Sequence, residues 1–301
     1  MASVFFTMTS FTTMTSTQAL ETPEAVLAYD LRGPLPTADG RPPLFLVGAP
    51  MDASGFGTLA AHFPDRTVVT YDPRGLGRST RHDGRIEHTP QQNADDLHRI
   101  IEAVSGPVEM FASSGGAVSA LALVAAHPGD VTTLVAHEPP LLTVLPDADR
   151  AFAAEADVRA AYHDKGWGYG MAAFIALTSW QGEFSDDYAA GSAPDPATFG
   201  LPVDDDGSRD DPLLSGASNA ITAYRPDVAA LASAPTRVVI AVGVESQGLL
   251  TGRTSVAVAG TLGQEVTVFP GNHGGFLGGE FGQRGEPEAF AARLREVLDG
   301  H

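Results

Sequence analysis

The sequence predicts an α/β fold, a mostly parallel central sheet with an inserted, mainly helical cap. Three observations carry this. From Leu44 onward, short apolar runs alternate with longer segments of helical period, the pattern of strands buried on both faces and covered by crossover helices. The alternation stops between Pro139 and Pro235. The chain has 301 residues, 43% of them hydrophobic and 18% charged, so it can bury one large core and still carry an insertion.

Taken in order, strands are expected at Leu44 to Val47, Thr67 to Tyr71, Val108 to Ala112, Thr133 to Ala136, Arg237 to Val242 and Glu265 to Phe269. Val26 to Leu31 reads as an added edge strand. Helices are expected at Pro90 to Val104, Gly115 to Ala126, Gly252 to Leu262 and Pro287 to Leu298. Inside the interruption, Asp147 to Tyr162 and Tyr169 to Thr178 look helical, and the acidic stretch Glu183 to Asp211 reads as solvated loop. The expected division is a flexible tail over 1–22, a core over 23–138 and 236–301, and a cap over 139–235.

Composition excludes several classes of function. A net charge of -19, from 37 acidic against 18 basic residues, opposes binding to a phosphate backbone, so nucleic acid is not an expected partner. No apolar run approaches the eighteen or so residues of a membrane span, and the first twenty residues lack the basic start and apolar stretch of a secretory signal, so a cytoplasmic location is expected. The chain has no cysteine, which removes disulfides, thiolate metal sites and a thiol nucleophile. No histidine pair has metal-ligand spacing with a glutamate, so neither metal nor cofactor is expected.

The stretch from Val108 to His127 carries the chemistry. It reads as an apolar strand, then Ala112-Ser-Ser-Gly-Gly116, then an apolar helix. A serine at such an abrupt turn sits in strained backbone with its hydroxyl above the sheet, provided the residues two before and two after are very small. Ser114 meets this through Ala112 and Gly116, whereas Ser113 would place Phe111 at a crowded position. Gly216-Ala-Ser-Asn-Ala220 fits the same small-residue pattern but has no strand before Ser218.

Together with three other segments, this makes the chain resemble the α/β-hydrolase superfamily. Leu44-Phe-Leu-Val-Gly-Ala-Pro-Met-Asp52 is similar to the strand and loop that supply an oxyanion-hole amide. Tyr71-Asp-Pro-Arg-Gly-Leu-Gly-Arg-Ser79 is similar to the family's Asp-x-Arg-Gly-x-Gly-x-Ser turn, and Phe269-Pro-Gly-Asn-His-Gly-Gly-Phe276 to the loop that bears its histidine. The usual His-Gly pair after the first core strand is here Val47-Gly48. The resemblance implies oxyanion donors at the amides of Ala49 and Gly115, with Met51 at the pocket entrance.

A serine hydroxyl needs an imidazole to take its proton and a carboxylate to hold that imidazole in place. His273, in a Gly-flanked loop after the last strand, fits the base. The other histidines read as surface or capping residues, except His137, which ends a strand and is a candidate pocket residue. For the acid two positions stay open. Glu138 ends the strand after the nucleophile helix, and Glu245 lies one residue short of the place used by many relatives. Phe174 and Trp180 of the cap are expected in the substrate pocket. The resemblance thus implies a cofactor-free serine hydrolase that cleaves a small to medium, largely neutral ester or lactone through an acyl-enzyme. Carbon-carbon bond hydrolysis or a lyase step on the same residues, or ligand binding without turnover, remain alternatives.

Overall fold

The computed structural model describes residues 15–189, 191 and 194–300. Its strands are β1 (Thr15–Glu21), β2 (Ala25–Arg32), β3 (Leu44–Ala49), β4 (Val68–Tyr71), β5 (Thr80–Arg81), β6 (Val108–Ser114), β7 (Val131–His137), β8 (Arg237–Gly243) and β9 (Thr267–Phe269). The helices are α1 (Gly57–Ala61), α2 (Pro90–Ala103), α3 (Gly115–Ala126), α4 (Ala148–Lys165), α5 (Trp167–Ser179), α6 (Asp186–Ala189), α7 (Asn219–Thr222), α8 (Val228–Ser233), α9 (Leu250–Thr261) and α10 (Pro287–Leu298). They build a mixed α/β molecule around one sheet of order β1-β2-β4-β3-β6-β7-β8-β9, with β5 added to β2. From β4 to β9 the neighbours along this order run parallel, and β1, β2 and β5 join antiparallel.

Side-chain alternation explains why both faces are covered. On β3, Phe45 and Val47 enter the cluster under α2 and α3, while Leu44 and Leu46 enter the cluster under α1 and α10. Met110 and Phe111 of β6 divide the same way. Such two-sided burial is why these strands are continuous apolar runs. The period of two is what splits one strand between two cores.

Two expectations change at the N-terminal side. Thr15 to Glu21, read as tail, form β1 in register with Val26 to Arg32, while residues 1–14 of that expected tail lie outside the described residues. Ala25–Arg32 is therefore an interior strand rather than an edge. The polar, almost wholly exposed pattern of β1 hides it from a search for hydrophobic alternation.

Between β7 and β8 lie α4 to α8, with a separate apolar cluster that includes Leu142, Val158, Tyr162, Phe184 and Leu214. The acidic stretch after Glu183 is mostly exposed, and its Asp205 pairs with Arg209. Its end is anchored, because Asp211 accepts the Trp167 indole N-H at 3.0 Å and its own amide donates to the Tyr162 hydroxyl at 3.0 Å.

Candidate active site

Ser114 is the last residue of β6 and caps α3, with φ of 58° and ψ of -130°. A non-glycine residue at positive φ carries steric strain, so its surroundings must enforce it. The enforcement is visible in Gly116. A Cβ there would come within 2.8 Å of Gly48 Cα and 2.9 Å of the Val47 carbonyl oxygen, so the start of α3 is pressed against β3 and only glycine fits. Ala112 is fully buried beneath the turn. Ser113 points inward, with its hydroxyl 3.5 Å from His137 Nδ1.

Ala49 pairs in register with Ser114 across β3 and β6. Gly115 opens α3, so its N-H belongs to the first turn and has no partner within the helix. The backbone of Ala49 and Gly115 meets here, since a Cβ on Gly115 would lie 2.8 Å from the Ala49 carbonyl oxygen. Both residues line a cavity of about 900 Å³, together with Ser114 and His273.

The structure brings His273 and Glu138 together, with Nδ1 and Oε2 separated by 2.7 Å. Glu138 is fully buried and has φ of 51°. Its carboxylate is well supplied with donors: the Gly243 amide reaches Oε1 at 2.9 Å and the Thr251 hydroxyl reaches Oε2 at 2.5 Å. Burial alone would raise the pKa of this carboxyl. The His273 hydrogen bond, the adjacent imidazoles and Ser246 outweigh it and hold Glu138 well below the ordinary range. Glu245 is exposed on a short turn, where its amide donates to the Gly271 carbonyl. Its strand end serves differently: β8 contributes the Gly243 amide that fixes Glu138.

Other expected pocket residues divide. Phe174 lines the cavity. Met51 does not; it packs toward Gly48, Gly55 and Phe56, on the α1 and α10 side of the sheet. Trp180 also stands outside, giving its indole N-H to the Glu183 carbonyl at 3.1 Å and packing edge-on to Tyr188. His137 is fully buried beneath His273 rather than in the pocket, with the two ring centroids 6.2 Å apart. Desolvation pushes its pKa down to about 4, so it is neutral at ordinary pH.

Sequence reasoning missed three features. Thr251 holds the Glu138 carboxylate but lies on an unremarkable helix start. His88, read as a surface residue, is buried on the cavity wall. The Asp72-to-Ser79 turn is an internal brace: Arg74 forms a double hydrogen bond with buried Asp96 at 2.9 and 2.6 Å, and Asp72 accepts from the amides of Arg78 and Ala53. It thereby ties the loop after β3 to the loop after β4. Among the described residues, His98, His127 and Asp130 also cluster as metal-ligand types. The two imidazoles stack face to face at 3.8 Å, so their in-plane lone pairs do not converge on one ion.

The geometry can now be set against known proteins. A hydrolase from Sphaerobacter thermophilus is similar over 93% of this chain and 100% of its own, with a TM-score of 0.58 and 22% identity. The chain has the α/β-hydrolase fold. A thermophilic esterase from Thermogutta terrifontis is similar over 95% of this chain and 98% of its own, with a TM-score of 0.60 and 20% identity. In sequence, an uncharacterized hydrolase of Bacillus subtilis, YraK, is 36% identical over 128 residues, covering 42% of this chain and 45% of that protein. The chain thus matches less than half the length of the curated relatives it resembles. No protein-family model matches it.

Proposed function

We propose that the protein is a serine hydrolase that cleaves a carboxylic ester or lactone of small to medium size through an acyl-enzyme. The observation that carries this reading is the buried Glu138 carboxylate held 2.7 Å from His273, on a cavity into which Ser114 also opens from a strained turn. A structural ion pair would need neither the strain at Ser114 nor a shared pocket. Hydrolase names among the relatives and esterase and enol-lactonase names among the fold neighbours point the same way.

In this mechanism Glu138 holds the Nδ1-H of His273, leaving Nε2 to accept the Ser114 proton as the oxygen attacks the carbonyl carbon. The amides of Ala49 and Gly115 stabilise the oxyanion. Imidazolium formed on His273 is stabilised by Glu138, which the surrounding donors keep ionised, and its proton passes to the leaving alkoxide. Water then repeats the sequence on the acyl-enzyme. Residues 139–235 act as a cap, closing the cavity with apolar side chains such as Phe174, Val158 and Leu213. This lining suits a largely neutral substrate. The described residues contain no helix long and apolar enough to cross a membrane.

The test is labelling by a fluorophosphonate, with peptide mapping, alongside turnover of p-nitrophenyl esters and lactones. Labelling should map to Ser114, and Ser114→Ala should lower kcat by on the order of 10³ or more with an unchanged melting profile. A variant that keeps above roughly a tenth of the wild-type rate would remove Ser114 from the mechanism.

A further inference from the structure

Resting on the hydrolase reading, we propose that the substrate carries a neutral hydrogen-bonding oxygen (hydroxyl, ketone or ether) a few bonds from the scissile carbonyl, and that His88 and the Arg159-Glu155 pair recognise it. The cavity is mainly apolar, and most of its polar groups are already used within the protein. Thr251 is bonded to Glu138, Ser218 to the Pro212 carbonyl and Thr178 to the Phe174 carbonyl. His88 differs: it is only 8% exposed and lines the cavity, and among the described residues its ring takes part in no hydrogen bond. Its ring nitrogens are not among the fully buried polar atoms that lack a partner, so they stay accessible on the cavity wall and are free to bond a ligand.

Arg159 stands on the same wall. Its Nη1 is shared between Glu155 and Asn219, each at 3.2 Å, which leaves Nε and Nη2 free of described partners. Glu155 is itself fixed by the Thr222 hydroxyl at 2.8 Å. Burial raises the Glu155 carboxyl pKa against the Thr222 and Arg159 contacts that lower it; with Glu155 ionised, the pair offers directed N-H donors and no net charge. A substrate carboxylate would meet an arginine already neutralised and a carboxyl of like sign, whereas a neutral oxygen can take the unpaired Arg159 N-H groups without that charge repulsion. Desolvation and the nearby Arg81 and Arg74, only partly opposed by Asp83, lower the pKa of His88 and so favour the neutral ring, which is both donor and acceptor.

The position follows from one short segment. Ile221 of α7 reaches the Gly115 turn, where a Cβ would meet its Cγ2 at 3.2 Å. Asn219 and Thr222 of the same helix hold Arg159 and Glu155, and the Ala217 carbonyl accepts the His88 amide. Four helical residues advance roughly 6 Å, so the polar wall begins a few bonds from the oxyanion position.

The experiment measures binding of three length-matched esters to Ser114→Ala by calorimetry: a plain alkanoate, one with a mid-chain ketone and one with a terminal carboxylate. Hydrolysis by the wild type runs in parallel. Expected is roughly tenfold or greater preference for the keto ester over the alkanoate, falling toward parity when His88→Phe or Arg159→Met is added. Glu155→Gln, nearly isosteric, should shift the preference toward the carboxylate ester by about tenfold because it uncovers the arginine charge. Equal binding of alkanoate and keto ester, or a preference for the carboxylate in the parent protein, overturns the inference. Binding preference without hydrolysis or labelling would instead overturn the hydrolase reading and leave the recognition standing.

Discussion

At the scale of single residues, the acid is the position where a replacement is most informative. Two glutamates were open in the sequence, and only Glu138 reaches His273. In the proposed mechanism the carboxylate fixes the tautomer of the base and stabilises its charged form, so Glu138→Gln should lower kcat by on the order of 10² to 10⁴ while KM stays nearly unchanged. Glu245→Gln should behave like a surface change. Steady-state kinetics of both variants on one ester decide the matter, and the reverse order would exclude Glu138 as the acid. What the sequence could not supply was register. His137 pairs with Ala241 across β7 and β8, which sets Glu138 against the Gly243 amide, and no local pattern around either glutamate encodes that pairing. His273 was legible as a candidate base, since a histidine among glycines after the last strand has few structural uses, and the structure places it on the cavity beside Glu138. Met51, His137 and Trp180 went astray for a shared reason: each neighbours the site in sequence, but which way a side chain turns depends on tertiary packing.

At the scale of elements, the turn from β6 into α3 is where sequence and structure agree most closely, because its constraint is steric and local. Small residues flank Ser114, and α3 starts so close to β3 that a Cβ on Gly116 would overlap backbone. Gly116→Val should therefore displace the start of α3, giving poor folding or an inactive protein. Ala112→Val faces a fully buried site and should cost about 1 to 3 kcal/mol by overpacking. Urea unfolding and ester turnover check both, and wild-type behaviour in the Gly116 variant would contradict the close approach. By contrast β1 escaped notice because antiparallel pairing through backbone hydrogen bonds demands little of its exposed side chains.

At the scale of the whole molecule, two electrostatic effects oppose each other as pH falls. With a net charge of -19, protonating surface carboxylates relieves self-repulsion and favours the compact state. Buried His137 acts the other way. Its ring lies among Phe111, Phe269, Phe276 and Phe290, and among the described residues the charged groups that act on it are Glu138 and, when protonated, His273. In the unfolded chain a histidine takes up a proton near pH 6.5, whereas in the folded protein His137 does so at about 4. Between those values the unfolded state binds the extra proton, so stability contributed by the neutral ring is full above about pH 6.5 and declines by ~1.4 kcal/mol per pH unit on acidification. His88, also lowered by burial, adds a slope of the same sign. Glu138, whose carboxyl is held low, adds its loss only below the ordinary glutamate range, near about pH 4.3. Comparing wild type with His137→Phe in urea between pH 7 and 5 therefore isolates one group. The variant is expected to be less stable at pH 7, where the Ser113 hydroxyl loses its neighbour, but to show a stability slope shallower than wild type by roughly one proton over that interval. Parallel slopes in the two proteins would mean that His137 is not held neutral behind the acid, and that the ring accepts a proton as readily in the folded state as in the open chain.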